Sequence, residues 1–238
     1  RFDNFDPMRD VPFLAVATHA PSVLDFPTGC STVVHDTWPN QRRSKPRKET
    51  ISTIAPAYGH ASLGRGTGGN QLQAQLHFSG AFGHSHRDNL AMCLFAKGRE
   101  MLPDIGYTWT QMRTWCNSTL GHNTVVIDRT SQNGGTSDGD LVWFFPDNQG
   151  VSVVEADGRR AYTDIAEVDQ YRRMLVMIPV SESGAYIVDI FRVSGGRTHD
   201  WALHGDADTD MSAACDLELD DQRKWMLEEG EAWDEPTI

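Results

Sequence analysis

From Thr50 onward, apolar residues come in short runs of five to eight, divided by clusters of small and polar residues. The dividers are Gly68-Gly69-Asn70, Asn133-Gly134-Gly135, Asp157-Gly158, Ser181-Glu182-Ser183-Gly184 and Ser194-Gly195-Gly196. Turn-forming residues at such intervals let a chain reverse between extended segments, so the pattern predicts strands. The candidate strands are 60–65, 72–78, 90–96, 100–105, 123–128, 151–156, 171–178, 185–193 and 201–204. Helical periodicity is weak, and only 109–117 and 221–229 read as helical pieces. The expected fold is all-β, an antiparallel β-sandwich over residues 51–238. Residues 1–50 are interrupted by Pro7, Pro12, Pro21, Pro27, Pro39 and Pro46, and predict a linker with one short strand at most.

Composition narrows the function classes. The chain has 238 residues, 39% of them hydrophobic and 23% charged, which suits a folded domain. Its 33 acidic against 21 basic residues give a net charge of −12, which argues against general nucleic-acid binding. A local basic patch can still meet a polyanion, and Gln41–Lys48 carries five positive charges, although such a run is more often a solvated loop. No apolar run is long enough for a membrane span. The four cysteines, Cys30, Cys93, Cys116 and Cys215, form no CxxC pair, which removes zinc-ribbon and thioredoxin readings. The opening Arg1-Phe2-Asp3-Asn4 and the closing Glu235-Pro236-Thr237-Ile238 read as the ends of a piece of a longer protein.

The candidate chemistry concentrates in Gly83-His84-Ser85-His86-Arg87-Asp88-Asn89-Leu90. In an extended segment His84, His86 and Asp88 share one side, because side chains alternate between faces. Two further segments carry groups of the same kind at the margins of β runs: Asp104 between Pro103 and Gly106, and His122 before Asn123-Thr124. A carboxylate within an apolar strand needs a partner. His86, Asp104 and His122 together make a common zinc-type donor set; the alternative is histidines satisfied by hydrogen bonds. In a plain hairpin turning at Gly98-Arg99, Asp104 falls opposite Cys93, so residues 84–88 must bend back to reach it. Asp206, Asp208 and Asp210 alternate like half a calcium loop but lack its glycine and distal glutamate. No Walker, Rossmann or GxSxG pattern occurs.

These segments, Gly83–Leu90, Ala96–Tyr107 and Ser118–Asp128 with Gln132, resemble the heparinase II/III-like polysaccharide lyases. Tyr186–Val193 and His199–Gly205 extend the resemblance, which covers about residues 58–206. It implies an antiparallel sheet region that packs against an N-terminal α/α toroid outside this chain, with the active site in the cleft between them. It implies a structural zinc ion on His86, Asp104 and His122, a catalytic role for His84, and Asp88 as a support that orients an imidazole. The implied reaction is β-elimination on an anionic uronate polysaccharide. Apart from the resemblance, Arg113 and Tyr107 are candidate substrate contacts, with packing beside Trp109 and Trp115 the alternative for Arg113. A periplasmic or secreted location follows from that substrate class. Some alginate-cleaving relatives carry a tyrosine shortly before the third ligand; residues 108–121 here hold none. Two further functions stay in view, a carbohydrate-binding or structural β domain without catalysis, and a zinc hydrolase. Trp109, Trp115, His199 and His204 are expected to be mainly structural.

Overall fold

Alternation between two buried faces organises the larger of the two main sheets. The computed structural model describes residues 24–35, 42, 44–80, 86–108, 112–134, 138–164, 167–206, 209–212 and 214–218. Five antiparallel strands lie in sequence order: β1 (Thr53–Ala55), β2 (His60–Arg65), β3 (Leu72–His77), β4 (Met92–Ala96) and β5 (Arg99–Leu102). Ala61 and Leu63 of β2, Ala74 and Leu76 of β3, and Met92 of β4 turn one way into the main core. Their neighbours His60, Ser62, Gln73, Gln75, His77 and Cys93 turn the other way and are also buried. Period-two alternation therefore separates an apolar face from a polar one.

The apolar face packs on a four-stranded antiparallel sheet of β7 (Asp140–Asn148), β8 (Val151–Asp157), β9 (Gln170–Pro179) and β10 (Ala185–Ser194), ordered β10-β9-β8-β7. Val154 and Ala156 of β8 and Tyr171, Leu175 and Met177 of β9 supply its half of the core. A two-stranded ribbon of β6 (Val125–Ile127) and β11 (His199–Trp201) adds Val125 and Ile127. The all-β sandwich expected from the sequence is the fold observed. A single-turn helix, α1 (Arg113–Asn117), sits within the expected 109–117 helix, whose first three residues lie outside the described residues, as does 221–229.

Two strands depart from the sequence expectation. β7 contains Pro146, which reads against a strand, but β7 is a sheet edge and the register shifts between Phe145 and Asn148. An edge strand with a bulge tolerates a residue that cannot donate to the ladder. β1 is only three residues long, too short to show a period.

The polar face is covered by residues 24–35, in the stretch read as a linker. Leu24, Phe26, Val33 and Val34 are buried there, and Phe26 stacks on Phe95 with ring centroids 5.8 Å apart. Gln73 and Gln75 each donate an amide hydrogen to the Leu24 carbonyl, at 3.2 and 2.7 Å. Arg47, from the basic run, reaches the Asp25 carbonyl and lies 3.3 Å from Gln73 Oε1. The glutamines thus satisfy both a buried sheet face and the segment laid across it.

Candidate metal centre

Three separate segments bring His86, Asp104 and His122 to one place. Their ligand atoms all lie within 4.8 Å of one another. His122 Nδ1 is 2.6 Å from Asp104 Oδ2, and the His86 and His122 rings lie 5.2 Å apart. The side chains of His122 and Asp104 are 1% and 5% exposed, so this is a buried cluster with little access for water.

Local backbone geometry solves the reach problem that a plain hairpin poses. The β4–β5 turn is Lys97-Gly98, with φ of 55° and 80°, a pair that matches the twist of the flanking strands. A bulge follows, so Phe95 pairs with Glu100 but Leu94 pairs with Leu102. β5 then ends before Pro103, and Asp104 leaves the ladder, its Oδ1 accepting a hydrogen bond from the Gly106 amide at 2.8 Å. On the other side, the Ala91 amide closes a turn onto the Asp88 carbonyl at 2.9 Å, with Leu90 at φ 59°. That turn folds the histidine segment back over the end of β4. His122 follows a 3-10 turn, Thr119–Gly121, capped where Ser118 Oγ accepts from the Gly121 amide at 3.3 Å.

Burial disfavours charge on His122, but the adjacent Asp104 carboxylate outweighs it and raises the imidazole pKa. His122 Nε2 is buried and makes no well-aligned hydrogen bond, and the Cys116 backbone is a further polar neighbour of the ring. Two imidazoles and a carboxylate, all sequestered from bulk water, fit a divalent cation of the zinc class.

Asp88 meets the imidazoles of His35 and His77. Its Oδ2 accepts from the His35 amide at 3.1 Å and its Oδ1 lies 2.9 Å from His35 Nδ1. The His86 amide in turn donates to His35 Nδ1 at 3.4 Å, so Asp88 acts on the His86 segment at one remove. His35, His77 and Asp88 form a second group of ligand atoms within 4.8 Å of one another. Arg113 stands with its guanidinium carbon 5.2 Å over the Tyr107 ring and donates to the Thr108 carbonyl at 3.2 Å. His84 and Trp109 lie outside the described residues. Trp115 packs against Leu120, Val126 and Ala202. His204 holds the Leu120 carbonyl through Nε2 at 2.6 Å, and the exposed His199 contacts the Gly195 carbonyl at 2.7 Å. All four cysteines are free.

Arg173 is the residue that sequence reasoning missed. It is fully buried on β9 and forks onto Asp189, with Nε–Oδ1 at 2.9 Å and Nη2–Oδ2 at 2.7 Å. Its Nη1 donates to the carbonyls of Leu90, at 2.7 Å, and of Asn123. Those carbonyls belong to the loops that carry His86 and His122. Gln132 adds a second brace, accepting from the Asn89 amide at 2.8 Å and donating to the Asn89 carbonyl at 2.9 Å. Its amide also donates to Tyr171 Oη at 3.0 Å, and Tyr171 Oη donates to the Val125 carbonyl at 2.6 Å. Nothing in an Arg-Arg pair on a strand marks which arginine turns inward; the apolar alternation around it, Tyr171, Leu175 and Met177, is the signal that could have found it.

Comparison with known proteins agrees with this architecture. Residues 72–235 match the family model described as heparinase II/III-like, C-terminal. Among solved structures, the heparan sulfate lyase HepC from Pedobacter heparinus is similar at TM-score 0.62 and 17% identity, over 79% of this chain and 33% of that one. A heparinase III gene product is similar at TM-score 0.57 and 16% identity, over 76% and 31%. A further heparinase III follows at TM-score 0.54 and 16% identity, over 68% and 32%. The chain thus spans about a third of the length of these structures. None of the curated proteins matches it. Among the described residues, no helix is long and apolar enough to cross a membrane. With the family match spanning more than half of its length, the chain belongs to the heparinase II/III-like family, in the part described as C-terminal.

Proposed function

We propose that this chain is the sheet-side wall of the active-site cleft of a polysaccharide lyase that cleaves an anionic uronate polymer by β-elimination. The observation that carries the reading is the convergence of His86, Asp104 and His122, from three separate segments, in a chain of this family. In the reaction, a base takes the proton from C5 of the uronate, a C4–C5 double bond forms, and the C4–O4 bond breaks as O4 is protonated. The C5 proton becomes acidic enough only when the neighbouring carboxylate is neutralised. His84, two residues before His86, is the chain's candidate for proton transfer or for that neutralisation. Arg113, over Tyr107, is the candidate contact for a substrate carboxylate or sulfate. An α/α toroid from the same protein would supply the opposing wall.

Zinc is the ion proposed for His86, Asp104 and His122, and when bound it cross-links three loops. The three residues would then hold His84 at a set position, with Arg173 and Gln132 bracing the same loops from behind. Burial of the three side chains favours a scaffold role for the ion, while three ligands is also the number at catalytic zinc, so the reaction product is what separates this reading from a zinc hydrolase. Since uronate polymers are met outside the cytoplasm, a periplasmic or secreted location goes with the proposal.

The test is incubation of the full-length protein with heparan sulfate and with alginate, following both ultraviolet absorbance and new reducing ends. The reading expects both signals to rise together, because each elimination leaves an unsaturated uronate. Reducing ends without absorbance would indicate hydrolysis. Binding without either signal would make this a carbohydrate-binding domain.

A further inference from the structure

Behind the centre described above lies a second buried group that the lyase reading does not use. His60 and His77 stand opposite each other on β2 and β3, on the polar face of the five-stranded sheet. His77 Nδ1 is 3.3 Å from His60 Nδ1, and its other nitrogen, Nε2, is 3.2 Å from His35 Nε2 and 3.8 Å from Asp88 Oδ1. His35 comes from the covering segment, Asp88 from the histidine loop. His60, Gln75, His77 and Asp88 line one small cavity together with Asp104.

Three observations point to a cation among these residues. First, Asp88 is a buried carboxylate whose Oδ1 lies 2.9 Å from His35 Nδ1 and 3.8 Å from His77 Nε2. The His86 amide points its hydrogen at that same Nδ1. A buried carboxylate needs positive charge beside it, from a protonated imidazole or from a bound cation. Second, His77 Nδ1 has His60 Nδ1 as its partner, so Nε2 is the nitrogen directed toward His35 and Asp88. A ligand imidazole is commonly fixed in this way by a partner on its other nitrogen. Third, His35 is a non-glycine residue at φ 55°, and such backbone strain persists where surrounding contacts hold it. With one ligand atom taken from each residue, the three lie within 4.8 Å of one another, and Asp88 Oδ1 is 2.9 Å from His35 Nδ1 and 3.8 Å from His77 Nε2.

We infer that His35, His77 and Asp88 form a second divalent-cation site, selective for zinc-class ions, that fastens the segment 24–35 and the histidine loop to β3. Its ligands come from the covering segment, from β3 and from the histidine loop, so occupancy ties the covering layer to the sheet.

The test is elemental analysis of zinc bound by the full-length protein after equilibration with zinc chloride and exhaustive desalting, with circular dichroism to confirm folding. Wild type is expected to hold about two zinc ions per chain, and His77→Gln and His35→Ala about one each. His35 is at the margin of the site, so His35→Ala reports even where the buried His77 variant fails to fold. His122→Ala separates the two sites. If wild type binds one ion that His122→Ala loses and His35→Ala keeps, the inference is overturned and the lyase centre stands. If His35→Ala loses an ion and His122→Ala does not, the second site stands and the zinc ligands proposed for the lyase centre fall. Two ions retained in His35→Ala, or none in wild type, also overturn the inference.

Discussion

Replacing Arg173 by methionine tests whether the ligand loops are held from the core. The substitution keeps an unbranched side chain of similar length and removes four hydrogen bonds: two to Asp189 and one each to the Leu90 and Asn123 carbonyls. Asp189 is 18% exposed at its side chain, so water can take over part of its solvation. The two carbonyls lie behind the loops and lose a charged donor, at about 1–3 kcal/mol each. Breaking a buried pair from one side costs about 3–5 kcal/mol as a whole, and the partial exposure of Asp189 puts the expectation near 4 kcal/mol. Urea denaturation followed by circular dichroism reads this as a fall in the midpoint at unchanged slope. Metal content separates a local from a global effect. Met177→Ala, two turns of the alternation further along β9, is buried and should lose about 2–5 kcal/mol, yet it removes no hydrogen bond to either loop. Arg173→Met is expected to lose bound zinc under conditions where Met177→Ala retains it. A loss below about 1 kcal/mol, or equal zinc retention in the two variants, would refute the bracing argument.

Other consequences are more local. Tyr171→Phe removes a buried hydroxyl that meets Val125, Thr124 and Gln132, and is expected to cost about 2 kcal/mol in the same denaturation assay. Glu100 is pushed up to about 7, first by burial and then by Asp206 and Asp104. Its folded value lies above its unfolded one, so the chain loses stability as pH rises from about 4.5 to about 7 and levels off above that. In metal-free protein, Glu100→Gln should therefore be more stable than wild type by about 1–2 kcal/mol at pH 8, a figure reduced for the partial exposure of the group, with no difference at pH 4. Equal melting temperatures at pH 8 would remove the argument.

Much of the sheet was legible because strands buried on one apolar face write that face into the sequence. Leu72, Ala74 and Leu76, or Tyr171, Leu175 and Met177, announce their strands by period alone. The grouping of His86, Asp104 and His122 was legible for a different reason: imidazole and carboxylate at the margins of apolar runs are expensive unless they meet something. The reach between them was not, because a bulge at Leu94/Phe95 and a left-handed Leu90 carry no side-chain signature. The covering role of residues 24–35 was hidden by its own chemistry. Its partners on the sheet are Gln73, Gln75 and His77, polar residues that read as solvent-facing until something buries them. His35 and His77 belong to no spaced motif, so only the tertiary fold pairs them with Asp88. Arg173 and Arg172 are neighbours in sequence, and the pleat alone sends one into the core and the other toward the surface.

The account rests on His86, Asp104 and His122 holding one ion, and anomalous diffraction from crystals of the protein, collected on either side of the zinc edge, tests that most directly. The prediction is a zinc-specific peak about 2.0–2.2 Å from one nitrogen of each histidine and from an Asp104 oxygen. The contradicting result is no peak among the three side chains, with His122 Nδ1 and Asp104 still in direct hydrogen-bond contact.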